Sequence, residues 1–237
     1  MNLSFNQKQH PHRRYNPLLD EWLLVSPQRA NRPWQGQTEK VTEDQLPAHD
    51  LNCYLCSGNV RANGEINPDY KGVFVFENDF GSLMKNEVEF SDKQSDFFSL
   101  KPERGINRVI CFSENHNLTL PEMEQDDIKK VVDVWQKQYE ELGNLEYINH
   151  VQIFENKGSV MGCSNPHPHG QIWAQSSIPS TVLRKQGNLT AYFEKNGTSL
   201  LKDYVKKELE INERIILENK DFVALVPFWA VWPYETM

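Results

Sequence analysis

The stretch 165–173, NPHPHGQIW, constrains this chain more than any other. Pro168 fixes its own φ near −65° and turns His167, the residue before it, toward extended backbone. In extended chain, side chains two positions apart share a face. His167, His169 and Gln171 are therefore expected to line one side, with Ile172 and Trp173 continuing a strand. A pair of turn histidines beside a proline would carry the same residues. The apolar run VQIF (151–154) and the small-residue loop KGSVMGCSN (157–165) that lead into the stretch favour a site.

A second triplet, His10-Pro11-His12, is followed by Arg13 and Arg14. It has no strand pattern before it and no glycine after it, so it reads as a polar arm with a basic cluster.

The 237 residues suffice for one large domain or two small ones with a proper core. A hydrophobic share of 38% fits a soluble globular chain, and the net charge of −8 argues against a nucleic-acid scaffold. A local basic pocket for a small anion stays open. The longest apolar run, LVPFWAVW (225–232), is too short and too broken by proline to cross a bilayer. The opening MNLSFNQKQHPHRR lacks the apolar core of a secretory signal. The four cysteines are spaced like ligands rather than like a disulfide framework. The chain is read as cytoplasmic, with no nucleic-acid or membrane partner.

Strands are predicted at 21–26 (EWLLVS), 72–77 (GVFVFE), 108–113 (RVICFS), 151–156 and 171–175. Residues 120–142 predict a helix. Thr119 and Glu122 have capping-box spacing, Pro121 falls in the first turn, and Gly143 and Asn144 can end it. Its expected core stripe is Ile128, Val131, Val132, Trp135, Tyr139 and Leu142. A second helix is expected at 199–209, with Leu200, Leu201, Tyr204, Val205 and Leu209 on one side. Residues 36–50 read as a flexible polar segment and 85–104 as a long loop. The loop SPQRANRPWQGQ carries Arg29, Arg32 and Gln35, a set suited to phosphate. An ordinary surface loop would have the same composition. IILENKDF (215–222) echoes VFVFENDF (73–80), which points to an internal repeat. The chain then stops after an apolar run without turn or capping chemistry, so truncation at the C-terminus is expected.

Cys53-x-x-Cys56, His116 and His167 supply two sulfurs and two nitrogens, a set suited to structural zinc in a closed tetrahedral site. Redox pairs and buried cysteines share the Cys-x-x-Cys spacing. Cys111 and Cys163 read as small packing residues. With His167 held by metal, His169 stays free to react, and a neutral imidazole is a good nucleophile near pH 7. It needs one ring nitrogen protonated and hydrogen-bonded, as to a backbone carbonyl, so that the other faces substrate. Gln171 can donate to a phosphate oxygen but cannot shuttle a proton. A covalent adduct on His169 is thus poorly set up for hydrolysis and persists until a second acceptor arrives.

NPHPHGQIW, preceded by FENKGSVMGCS, resembles the active-site segment of the galactose-1-phosphate uridylyltransferase family. That family belongs to the histidine-triad superfamily, with glutamine in place of the third histidine. The resemblance continues in HPHRRYNPL, LLVSPQRANRPWQGQ, CYLCSGNVRANGEINPDYKGVFVFENDF and PFWAVWPYET. It implies an α+β fold, a histidine-triad-like antiparallel sheet with packed helices, followed by the start of a second copy. Residues 1–177 would form the domain with zinc and nucleophile, and 178–237 the incomplete beginning of the C-terminal repeat.

The activity implied is a two-step transfer of a uridylyl group from UDP-glucose to galactose 1-phosphate through uridylyl-His169. By the same resemblance Asn156, Ser164 and Gln171 hold the phosphates. Leu55, Ala62, Phe76, Asn78, Asp79 and Val109 surround the uridine. Arg29 and Arg32 match arginines that reach the partner's site in a homodimer. Lys185 stands where some members carry a glutamate that ligates a second metal, so no second metal is expected. A hydrolytic or inactive relative, and a zinc-stabilised nucleotide-binding module, are the competing readings.

Overall fold

A computed structural model describes residues 4–33, 46–90 and 97–237. Gln35, most of the polar segment 36–50 and the middle of the loop 85–104 lie outside the described residues. In chain order the elements are β1 (His12–Asn16), β2 (Glu21–Val25), β3 (Phe74–Glu77), β4 (Gly105–Cys111), α1 (Gln125–Gly143), β5 (His150–Phe154), β6 (His169–Gln175), α2 (Ser180–Asn196), α3 (Leu200–Ile211), β7 (Ile215–Glu218) and β8 (Val223–Leu225). The chain divides into two compact units. One comprises residues 41–178, the other residues 1–40 together with 179–237.

The 41–178 unit is built on an antiparallel sheet in the order β3-β4-β6-β5. Along β6 burial alternates, with Gly170, Ile172 and Ala174 buried and His169, Gln171 and Trp173 half-buried between them. The buried side packs under α1, where Ile106, Ile110, Phe112, Ile172 and Ala174 meet Val131 and Leu142 in one core. The opposite side carries Phe74, Phe76, Val109 and Cys111, packed with Cys53, Leu55, Cys56 and Tyr70. One face of the sheet thus packs on the helix, and the other carries a second buried cluster.

The helix predicted from residue 120 begins later. Thr119 and Glu122 do form the capping box, with Thr119 N–H 3.1 Å and its hydroxyl 2.6 Å from Glu122 Oε2, but they cap a 3-10 turn at Leu120–Glu122. Met123 and Glu124 are extended, Met123 is buried, and α1 starts at Gln125. The stripe is also narrower than predicted. Val132 and Tyr139 are exposed, and Val134 joins the core in their place.

In the other unit, the segment read as a basic arm forms β1, which pairs antiparallel with β2 from His12↔Val25 to Asn16↔Glu21. Arg14 supplies part of the reason. Its guanidinium lies 4.7 Å over the Phe228 ring, and Nη1 donates to the Phe228 carbonyl at 3.1 Å. The predicted second helix is α3; α2, not anticipated, precedes it and ends on Gly197 at φ 70°. β7 pairs with β8. The echo with β3 extends to the turns that follow. Asn78 Oδ1 accepts Phe80 N–H at 3.0 Å, and Asn219 Oδ1 accepts Asp221 N–H at 2.9 Å.

Candidate active site and metal centre

The two cysteines sit in turns ahead of the sheet. Cys56 N–H bonds the Cys53 carbonyl, the Asn59 amide donates to the carbonyls of Asp50 and Cys53, and the Asn67 amide donates to those of Tyr54 and Cys56. His116 follows β4, with its N–H on the Ala48 carbonyl at 2.8 Å. His167 precedes β6. Its N–H bonds Asn165 Oδ1 at 2.8 Å, an Asx turn across Pro166.

These segments bring Cys53, Cys56, His116 and His167 together, all buried, with their ligand atoms within 4.8 Å of one another. Cys56 Sγ lies 3.5 Å from the Nδ1 atoms of both histidines. Metal–ligand lengths for zinc put sulfur and nitrogen roughly 3.6 Å apart across a tetrahedral edge, so the donor set fits such an ion. His167 Nε2–H donates to the Ser113 carbonyl at 3.0 Å, which leaves Nδ1 turned to the cluster with its lone pair free. Burial pushes the His167 pKa down to about 4 and the Cys56 thiol up to about 11. Both shifts favour the neutral forms of His167 and Cys56, and a bound divalent ion would draw off the thiol proton. Tyr70 closes the wall, its hydroxyl donating to the Leu55 carbonyl at 2.7 Å.

His169 opens β6 opposite Cys111. Its Nδ1 lies 2.7 Å from the His167 carbonyl. A carbonyl only accepts, so Nδ1 carries a proton, and in the neutral ring Nε2 keeps its lone pair. Metal ligand and candidate nucleophile are therefore joined through one carbonyl. A Cβ at Gly170 would come within 3.1 Å of the Phe112 ring and the Phe154 carbonyl, so a side chain there would require these neighbours to give by a few tenths of an ångström. Gln171, two residues on, faces the same side between Val109 and Phe154. Trp173 Nε1 lies 3.2 Å from Gln171 Oε1. Because an indole can only donate, the glutamine oxygen is engaged and its amide N–H groups stay available.

Of the residues assigned to uridine, Phe76 and Val109 are register partners on β3 and β4, and Leu55 packs against them. Asn78 and Asp79 follow β3 directly, half-buried, and Ala62 is exposed in the 60–66 hairpin. Asn156 is half-buried after β5, and Ser164 is exposed at the end of the glycine loop in which Gly158 and Gly162 have positive φ. Arg29 and Arg32 belong to the other unit, exposed, on and just after a 3-10 turn at Pro27–Asn31. Cys111 is buried packing, as expected, while Cys163 donates to the Asn165 carbonyl at 2.9 Å. Asn165, Tyr70, Trp173 and Arg61 were not singled out from the sequence. Only the Asn-Pro pair ahead of His167 signalled one of them.

The antiparallel sheet, its histidine strand and the helix behind it define a histidine-triad fold. A solved uridylyltransferase superposes with a TM-score of 0.68 at 25% identity, over 94% of this chain and 64% of that one. An ADP-glucose phosphorylase from Arabidopsis thaliana, with bound ADP-glucose, gives 0.69 at 25% identity, over 96% and 67%. The model of the galactose-1-phosphate uridyl transferase N-terminal domain matches residues 2–179, and that of the C-terminal domain matches residues 185–237. This chain belongs to the galactose-1-phosphate uridylyltransferase family. The Haemophilus influenzae enzyme of that name is 53% identical over all of this chain and 67% of its own length, and the Rattus norvegicus enzyme is 44% identical over all of this chain and 62% of its own. The chain thus spans about two thirds of the length of these relatives. Among the described residues no helix is long and apolar enough to cross a membrane.

Proposed function

We propose that the protein transfers a uridylyl group from UDP-glucose to galactose 1-phosphate by way of His169. The observation that carries this reading is the 2.7 Å contact between His169 Nδ1 and the His167 carbonyl, which ties up Nδ1 and leaves Nε2 for the substrate. Nε2 attacks the α-phosphorus, and glucose 1-phosphate leaves with the electrons of the broken P–O bond. A phosphate oxygen of galactose 1-phosphate then attacks the same phosphorus and displaces the imidazole, giving UDP-galactose. Catalysis of this kind rests on alignment and charge stabilisation. Gln171 donates to the phosphate through the amide left free by Trp173, with Asn156 and Ser164 as further donors. Leu55, Ala62, Phe76, Asn78, Asp79 and Val109 form the uridine pocket.

Zinc held by Cys53, Cys56, His116 and His167 would supply a closed clamp that fixes the backbone ahead of His169. Four protein ligands leave no position for substrate on such an ion. Arg29 and Arg32 act in the site of a second copy in a homodimer. Residues 1–177 carry the catalytic domain and 178–237 open a second copy of the fold, a repeat supported by the matching turns after β3 and β7, while residues 1–40 group with 179–237 in one compact unit. The four unpaired cysteines suit the cytoplasm.

Incubation with UDP-glucose labelled in the uracil is expected to leave label on the protein and release one glucose 1-phosphate per label. His169→Ala is expected to abolish both. Label that survives this substitution removes His169 as nucleophile. Steady release of UMP replaces transfer with hydrolysis, and tight UDP binding without any adduct reduces the protein to a binding module.

A further inference from the structure

We infer that Arg61 is a positioning residue of the nucleotide pocket, its guanidinium holding the Phe76 ring and the Asp79 carboxylate in place; this rests on the uridine reading above. Arg61 stands in a tight hairpin. Val60 bridges Ile66, Arg61 N–H bonds the Glu65 carbonyl at 2.7 Å, and Gly64 N–H returns to the Arg61 carbonyl at 3.0 Å. Gly64 sits at φ 90°, a turn position that suits glycine.

Val60, Ala62 and Ile66 of this hairpin face solvent, yet the Arg61 side chain is only 10% exposed. A cation turned inward from an exposed hairpin, past apolar neighbours turned outward, is the reverse of ordinary burial preference. It carries a desolvation cost that its contacts must offset.

Those contacts lead to the pocket. The guanidinium carbon lies 4.5 Å from the Phe76 ring centroid, a cation–π distance. Phe76 is stacked in turn on Phe74, centroids 5.4 Å apart, so its ring is fixed from two sides. Arg61 Nε lies 3.8 Å from Asp79 Oδ1, and the Asp79 side chain is 7% exposed. A terminal nitrogen pairs with Glu65, whose side chain is mostly exposed. Nε is buried and has no hydrogen-bond partner among the described residues. At 3.8 Å it is too far for a direct hydrogen bond to Asp79 but within ion-pair range of the carboxylate. One side chain therefore holds both the flat ring and the acid that the site presents to a nucleoside. An arginine committed only to the hairpin would need Glu65 alone.

The test is UDP affinity by calorimetry on the full chain, with zinc content and thermal midpoint recorded for every variant. Arg61→Met keeps length and removes both the charge and the planar cation. It is expected to weaken UDP binding about 10-fold or more, with the change in labelling by UDP-glucose falling on KM far more than on kcat. Arg61→Lys keeps the charge beside Asp79 and is expected to recover part of the loss. Combined with Asp79→Asn, Arg61→Met is expected to cost much less than the sum of the two single changes. Unchanged UDP affinity in Arg61→Met overturns the inference, as does a loss confined to kcat or strict additivity with Asp79→Asn. If Arg61→Met fails to fold, Arg61→Lys and its pairing with Asp79→Asn decide by the same criteria. A wild-type chain that does not bind UDP refutes the uridine pocket itself, a different result from equal binding by wild type and variant.

Discussion

On the proposed transfer reading, Trp173 would govern how Gln171 meets a phosphate. Its indole N–H engages Gln171 Oε1 and so selects which end of the amide faces outward. Replacing it with phenylalanine keeps an aromatic ring against Phe154, 6.0 Å away at present, and removes the donor. The loss of one such bond is worth about 1 kcal/mol, so Trp173→Phe is expected to slow uridylylation of His169 roughly five-fold. Zinc content should be unchanged, and rapid-quench measurement of label incorporation checks both halves. Unequal legibility runs through the site for physical reasons. His167, His169 and the cysteine pair stand out in the sequence because proline stiffness and ligand spacing are local. The Ser113 carbonyl that sets the His167 tautomer is a main-chain atom 54 residues away, invisible to any side-chain pattern. Tyr70 and Arg61 read as ordinary loop residues, since nothing nearby shows that their side chains turn inward.

At the level of elements, β4 and α1 are tied by Arg108. Its guanidinium bonds the Gln138 side chain and lies 2.6 Å from Glu141 Oε1. The Arg108 hydrogen bond holds the Glu141 carboxyl below its ordinary value. A depressed carboxylate contributes stability that is present above the unfolded value, near 4.5, and is lost as pH falls through the folded one. Glu141→Gln is therefore expected to lower the thermal midpoint slightly at pH 7 and to flatten its decline below pH 4.5. Thermal melts of both proteins across pH 3–7 give the comparison, and parallel curves would deny the tie any role. Elements were readable where pattern and burial agreed, as in β6 and the core of α1. The start of α1 was misplaced because a capping box works as well on a 3-10 turn as on an α-helix. α2 escaped notice because Gly187 and its polar run give no apolar stripe, and none of its residues is buried. β1 reads as an arm because HRRYN has no apolar alternation and the Arg14 contact with Phe228 spans 214 residues.

For the molecule as a whole, the Cys2His2 cluster joins three stretches distant along the chain, with Cys56 lying 60 residues before His116 and 111 before His167. A cross-link over loops of that size restricts the unfolded chain by about 4 kcal/mol on the chain-entropy estimate. Stripping metal with a strong chelator is expected to lower the thermal midpoint by several degrees, to open the 50–70 turns to protease, and to abolish labelling at His169. Readdition of zinc should restore all three, and indifference of all three to chelation would refute a metal clamp. The two compact units have a different consequence. Residues 41–178 contain every partner their sheet requires, whereas β1 in the opening forty residues leans on Phe228, and Asn188 donates to the Leu18 carbonyl at 3.0 Å. During synthesis, residues 1–40 must therefore wait for residue 228 to be made, while the segment 41–178 is already free to condense.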